Sequence, residues 1–399
     1  MKWSSGGVTA ARGFVASGIS AGIKPSKRPD LALILSRSPA AAAAVFTTNR
    51  IKAAPVIISQ RRLRRGQARA VLINSGCANC LTGEAGLRDA LRLSKAIAKG
   101  VGLANHDILL ASTGLIGTRL PVARIARAMP RLVDSLSRQQ HEEAAWAILT
   151  TDRRPKETAV RVSVGGRTFH VGGMAKGAGM IAPSMATMLA VITTDVAAPP
   201  ALLSRLLRQA SAGTFNRISV DGDMSTNDTV FLLANGRSGV QLRAGTPSTR
   251  VFASALQAVA GRLSRMIVAD GEGASRLMEV EVCGARTAGE AFACARSVAT
   301  SPLVKTMLAG GDANMGRIAA AVGASPARFD PTRLDVRIQD QRVVANGRVV
   351  PLSAAVVRML LRRPVVAVRI DLHAGRAEDR MTTCDLTTDY VRINAGYAT

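Results

Sequence analysis

The chain has 399 residues, 47% of them hydrophobic and 20% charged, which argues against disorder and provides apolar material for one large core or two packed lobes. Its 53 Lys and Arg against 27 Asp and Glu leave a formal charge of +26. Aromatic residues are only 3%, too few for the stacking platforms that hold single-stranded nucleic acid, so the charge reads as an arginine-rich solvated surface that favours anionic substrates.

Taken in chain order, the first seven residues carry one positive charge but no apolar core behind it, so no secretory signal is expected. The apolar stretch Pro39 to Phe46 is mostly alanine and far short of the roughly 20 residues of a membrane-spanning helix, so a soluble cytoplasmic protein is expected. A strand is predicted over Ala68 to Asn74, followed by Cys77-Ala78-Asn79-Cys80. That CxxC lacks the second pair or spaced histidines of a zinc site, and five cysteines (also Cys283, Cys294 and Cys384) make no disulfide framework. Cys77 and Cys80 are therefore expected as small loop residues.

Helical spacing runs from Leu87 to Val101 and from Val122 to Met129, where Pro130 is expected to stop the helix. A strand falls between them at Ile108 to Ser112. Two strands, Ala159 to Val164 and Thr168 to Val171, flank Gly165-Gly166 as a hairpin. A further helix is predicted over Phe252 to Ile267 and a strand over Val365 to Asp371. Closely spaced strands mixed with long helices predict an α+β layered fold, and no fixed-period repeat or long Pro/Ser linker divides it.

The stretch from Val171 to Ile192, VGGMAKGAGMIAPSMATMLAVI, is the most informative. Its glycines allow the positive φ angles and close backbone approach of an active-site loop, and an apolar strand-like run begins at Thr187. A phosphate-binding loop fails on order, because Lys176 precedes Gly177 and no Ser or Thr follows it. A glycine-rich turn feeding a buried strand explains the glycines but not the lysine. The chemical reading is that the Thr187 hydroxyl attacks the Ala186 carbonyl and water resolves the ester. Thr187 then owns an α-amine of reference pKa about 8 that can take the hydroxyl proton.

This segment resembles the cleavage motif of the ornithine acetyltransferase family, the bifunctional glutamate N-acetyltransferases: Lys-Gly-Ala-Gly-Met-Ile-Ala-Pro-x-Met-Ala-Thr-Met-Leu. Further ordered blocks extend the resemblance over nearly the whole chain. They include Ala21 to Lys24, Ser112 to Gly117, Thr150 to Asp152, Phe215 to Asp223, Ser225 to Asp228, Asp270 to Ala274, Ser301 to Lys305 and Cys384 to Val391. The resemblance implies a layered fold of the N-terminal-nucleophile type, cut into an α chain of residues 1–186 and a β chain of 187–399, and assembled as an α2β2 heterotetramer. It implies that Thr187 becomes acetylated and that Thr113 and Gly114 form the oxyanion hole, donors that typically contribute roughly 3 to 4 kcal/mol each.

By the same resemblance Thr150, Thr151, Lys176, Glu272, Asn394 and Thr399 contact substrate, Lys176 suiting a carboxylate and Glu272 an ammonium. The implied substrates are N-acetylornithine and glutamate, with acetyl-CoA as a possible second acetyl donor and no resident cofactor or metal. A self-cleaving aminopeptidase of related architecture and a basic nucleic-acid-binding protein remain as alternatives.

Asp221 to Asp228 has the carboxylate density of a calcium loop, but Thr226 and Leu232 stand where glycine and glutamate are needed. The histidines 106, 141, 170 and 373 are dispersed and read as structural or surface residues. Cys77, Met224 and Met315 depart from the family's usual asparagine, threonine and tryptophan, which bears on packing near the site more than on the named groups.

Overall fold

The computed structural model describes residues 1–182, 188–312 and 314–396, so the sequence-predicted residues Ala186, Thr187 and Thr399 lie outside the described residues. The described residues divide into two units, the first made of residues 1–216 and 223–267, the second of 217–222 and 268–396.

The first unit begins with β1 (Lys2–Ser4), β2 (Phe14–Ile19), β3 (Leu31–Ser36), β4 (Ala41–Phe46), α1 (Ala54–Arg62) and β5 (Ala70–Cys77). It continues through α2 (Gly83–Gly100), β6 (Ile108–Leu115), α3 (Val122–Asp134), α4 (His141–Ala147), β7 (Lys156–Val164) and β8 (Arg167–Lys176). The last elements are β9 (Leu189–Thr194), α5 (Pro200–Ala212), β10 (Thr229–Ala234) and α6 (Pro247–Ala269), which ends inside the second unit's stretch of chain.

Two sheets form this unit, one of six strands in the order β1-β7-β8-β9-β10-β4 and one of four in the order β2-β3-β5-β6. Their facing sides share a core in which Phe14, Ile34, Val71 and Leu109 of the smaller sheet meet Met174, Val191 and Phe231 of the larger. The outer side of the smaller sheet carries α2 and α3 through Leu93, Ile97, Ile125 and Leu132. Every residue of β9 and β10 is buried, as expected for near-continuous apolar runs covered on both faces, and the two strands pair in parallel. Gly165 and Gly166 turn the β7–β8 hairpin with φ of 54° and 72°, and two successive positive φ values are what a two-residue turn needs to match strand twist.

The second unit contains β11 (Leu277–Ala285), α7 (Ala288–Ala299), α8 (Pro302–Gly310), α9 (Gly316–Gly323), β12 (Asp335–Ile338) and β13 (Gln341–Ala345). Then follow β14 (Arg348–Val349), α10 (Ala354–Leu361), β15 (Val365–Asp371), β16 (Ala377–Cys384) and α11 (Thr388–Gly396). One sheet, β14-β13-β12-β15-β11-β16, packs its apolar face on helices through Val280, Val368, Val298, Leu308, Ile318 and Leu360. The architecture is α+β and layered, as the sequence predicts.

Two local expectations are corrected. Pro130 does not stop its helix: α3 runs on to Asp134 with Pro130 inside it. The lost hydrogen bond and ring clash of an interior proline cost about 3 kcal/mol, but Ile125, Ala128, Met129 and Leu132 remain buried along one face, and that packing holds the turn beyond the proline. Cys77 is not a loop residue but closes β5, and all five cysteines are buried thiols.

Candidate active site

Strand pairing brings four chain segments to one end of the first unit's sheets. Lys176, the last residue of β8, pairs with Leu189 at the start of β9, and Leu189 pairs in turn with Thr229 at the start of β10. Thr113 and Gly114 lie near the end of β6 in the smaller sheet. Periodicity alone could not foresee this convergence, because it depends on which strands become neighbours.

Lys176 is 2% exposed, and its Nζ donates to the hydroxyls of Thr150 at 2.8 Å and Thr113 at 3.3 Å. Three of the sequence-predicted residues are thereby joined by direct hydrogen bonds. Gly114 has φ of 127°, and a Cβ there would stand 2.3 Å from the carbonyl carbon of Gly76 on neighbouring β5, so only glycine allows the two strands this close. Thr151 is half-buried next to Thr150 in the segment after α4.

The sequence reading named none of the groups that hold this cluster. Asp152 is buried, with Oδ1 accepting from Lys156 Nζ at 2.6 Å and from the Gly177 amide at 2.7 Å, and Oδ2 accepting from the Thr150 amide at 3.1 Å. Its Oδ2 is also 3.9 Å from Lys176 Nζ. Burial by itself would push this carboxyl up, but the Lys176 and Lys156 ammoniums with the Lys156 and Gly177 hydrogen bonds outweigh it and hold Asp152 well below the usual carboxylate range. Lys156, 1% exposed, is a fully buried cation whose long stem would otherwise face solvent.

Lys24 also feels this cluster: burial lowers its ammonium to about 8, with Asp30 opposing and Lys176 assisting the shift. Asp30 meanwhile accepts from the amides of Ala21, Ile23 and Lys24, which shapes the loop that carries the lysine. Asp228, 1% exposed, is pushed well above its ordinary value by burial, against the hydrogen bond from the Met188 amide and the nearby charge of Lys176. Lys24, Asp152 and Asp228 fall within blocks that carry the family resemblance, whereas Asp30 and Lys156 do not, and nothing in the spacing of any of them marks it as buried.

In the second unit Glu272 is 9% exposed, where a lone charge in a glycine-rich loop would ordinarily be solvated. Asn394 of α11 donates from Nδ2 to Glu272 Oε2 at 2.7 Å and to the Tyr390 carbonyl at 3.0 Å, so the two residues assigned to substrate are hydrogen-bonded. Gly273, with φ of 69°, lets this loop approach α11: a Cβ there would stand 2.5 Å from the Tyr390 nitrogen. Each histidine lies beside a carboxylate, as with His141 and Glu157 at 2.9 Å and His170 and Asp195 at 3.2 Å, consistent with structural roles.

In the first unit, then, the described site offers a buried cation bonded to two hydroxyls beside a glycine that keeps its strand end in a conformation other residues avoid. Such a site can bind a negative oxygen and exclude water from it.

Comparison with known proteins agrees. The arginine biosynthesis bifunctional protein ArgJ of Symbiobacterium thermophilum is 46% identical over 402 residues, covering 100% of both chains. That of Geobacter sulfurreducens is 46% identical over 390 residues, covering 97% of this chain and 99% of the other. Among solved structures, the ornithine acetyltransferase of Mycobacterium tuberculosis, crystallised with ornithine, is 42% identical, with a TM-score of 0.42, and covers 45% of this chain and 95% of its own. The ArgJ family pattern matches residues 15–399. The chain belongs to the ArgJ family of arginine-biosynthesis acetyltransferases.

Proposed function

We propose that this chain cuts itself between Ala186 and Thr187 and then transfers acetyl groups by a ping-pong route through acetyl-Thr187. In the first stage the Thr187 hydroxyl adds to the Ala186 carbonyl, the peptide C–N bond breaks with its nitrogen taking a proton, and water hydrolyses the resulting ester. The freed α-amine then serves as base for the same hydroxyl. In the second stage the acetyl group of N-acetylornithine passes to Thr187 Oγ1, ornithine leaves with the proton, and the amine of glutamate collects the acetyl group. Acetyl-CoA is a candidate second donor by the same acyl-enzyme.

The observation that supports this most is the Lys176 ammonium bonded to the Thr113 and Thr150 hydroxyls at the mouth of the strand that leads back toward residue 187. Thr113 and Gly114 are the proposed oxyanion donors, and Thr150, Thr151, Lys176, Glu272, Asn394 and Thr399 the proposed substrate contacts. The mature enzyme is proposed as a cytoplasmic α2β2 assembly of residues 1–186 and 187–399.

Intact-mass analysis of the purified protein tests the first stage: two fragments meeting at Ala186/Thr187 are expected, and one uncut chain from Thr187→Ala. For the second stage, N-acetylornithine with labelled glutamate should yield labelled N-acetylglutamate with parallel double-reciprocal plots. An uncut chain that still transfers acetyl groups would overturn the reading.

A further inference from the structure

Beyond the residues already assigned, two adjacent buried polar side chains just before β10 reach toward two segments near the site. Asn227, 4% exposed, donates from Nδ2 to the carbonyls of Ala78 and Ser112, each at 2.8 Å. Its own side-chain oxygen accepts from the Thr226 hydroxyl at 2.6 Å, so the amide is anchored at both ends. Ser112 immediately precedes Thr113, and its carbonyl belongs to the peptide unit that joins the two residues. Ser112 is fixed a second time by its hydroxyl, 2.5 Å from Asn74 Oδ1.

Asp228 acts at the other side. Its Oδ1 accepts from the amide of Met188 at 2.8 Å, while the amide of Thr229 donates to the Met188 carbonyl at 3.1 Å. Both backbone polar groups of Met188 are thus held by two consecutive residues of one segment. The Met188 nitrogen is bonded to the carbonyl carbon of residue 187, which itself lies outside the described residues. Oδ2 of Asp228 is buried as well, and the Thr47 hydroxyl beside this carboxyl donates to the Ser225 carbonyl at 2.8 Å.

We propose that Asn227 and Asp228 are positioning residues that set the distance between the nucleophile and the oxyanion donors. Asn227 clamps the peptide unit before Thr113, and Asp228 clamps the peptide unit after residue 187. Their adjacency in one rigid strand entry converts two separate peptide planes into one frame. The inference rests on the reading of Thr187 as nucleophile. It also accounts for the choice of side chain: Oδ1 of Asp228 accepts the Met188 amide, an acceptor that an asparagine side chain reproduces and an alanine does not.

The test compares the full-length wild type with Asp228→Asn and Asp228→Ala, following fragment appearance by denaturing gel and intact mass. The mature fraction then gives kcat and KM for N-acetylornithine, and thermal unfolding reports the fold. Asp228→Ala is expected to slow cleavage and kcat by roughly a hundred-fold with KM little changed, the cost of a reacting group displaced by about 1 Å. Asp228→Asn should restore most of both rates, because it keeps the acceptor that holds the Met188 amide.

The proposal is overturned if Asp228→Ala matures and turns over like wild type. It is equally overturned if Asp228→Asn melts like wild type yet is as slow as alanine, since the carboxyl would then be an acid–base group and not a brace, or if Asp228→Asn does not fold. Wild type that stays uncut while active removes the Thr187 reading itself, and this inference with it.

Discussion

At the scale of single residues the site depends on one carboxylate serving two buried cations. Asp152 touches Lys156 directly and lies 3.9 Å from Lys176, with all three side chains nearly or fully buried. Removing the charge leaves two ammoniums in low dielectric with less compensation, so Asp152→Asn is expected to destabilise the protein by about 3–5 kcal/mol. The sign with pH follows from the direction of the shift. Because Asp152 is held below its ordinary value in the folded state, its contribution is complete at neutral pH and is lost as the pH falls below about 4. Denaturant midpoints of wild type and Asp152→Asn at pH 7 and pH 3 check this: the gap should narrow at the lower pH, and a constant gap would contradict it.

Motif resemblance proposes Thr113 and Gly114 as oxyanion donors and Thr150 and Lys176 as substrate contacts, and Lys176 is bonded to both Thr113 and Thr150 in the fold. Asp152, Lys156 and Asp228 were not singled out. A carboxylate in a short polar block looks the same in sequence whether it faces water or a buried lysine, and only its neighbours across other strands distinguish the two.

At the scale of elements, the contact between β5 and β6 decides where the proposed oxyanion donors stand. The pair runs in regular parallel register from Ala70–Ile108 to Gly76–Gly114 and then shifts at Cys77. A side chain at 114 would strike the backbone of Gly76 and Cys77 at 2.3–2.5 Å and would adopt φ of 127°. Gly114→Ala should therefore cost about 1–3 kcal/mol from the backbone conformation alone. Its kcat should fall with little change in KM, because displacement of this strand end moves donors that act on developing charge. Thermal unfolding and steady-state kinetics on the same preparation test it, and an unchanged kcat would remove Gly114 from the oxyanion assignment.

The element types that were readable were so because periodicity is local. The β7–β8 hairpin needed only its Gly165-Gly166 turn, and β9 and β15 announce themselves as apolar runs, whereas β10 was not anticipated. The error at Pro130 has a physical cause: a propensity that breaks an isolated helix is outweighed when one face of that helix is buried against α2 and a sheet.

For the whole molecule, the proposed cut does not coincide with the boundary between the two units. It falls inside the first unit, between β8 and β9, which are hydrogen-bonded neighbours over six residue pairs from Val171–Thr194 to Lys176–Leu189. The C-terminal fragment also supplies β10, which pairs with β4 of the N-terminal fragment from Thr229–Phe46 to Ala234–Ala41. One sheet and one core are therefore built from both products. The fragments are expected to travel together through native chromatography and to part only in denaturant. Separation under native conditions would contradict the shared sheet.

Sequence by itself determined the family, the α+β class, a minority of the helices and strands, and the segment in which the chemistry is proposed to occur, because each of these is written in short-range pattern or in motif. Tertiary structure alone decided that Lys176 meets Thr113 and Thr150, that Asp152 sits between two buried lysines, and that Asn227 and Asp228 grip two different strands. The reason is that strand order joins residues separated by dozens of positions, and burial, which sets both the hydrogen-bond demand and the charge state of these groups, is a property of that assembly and not of any one segment.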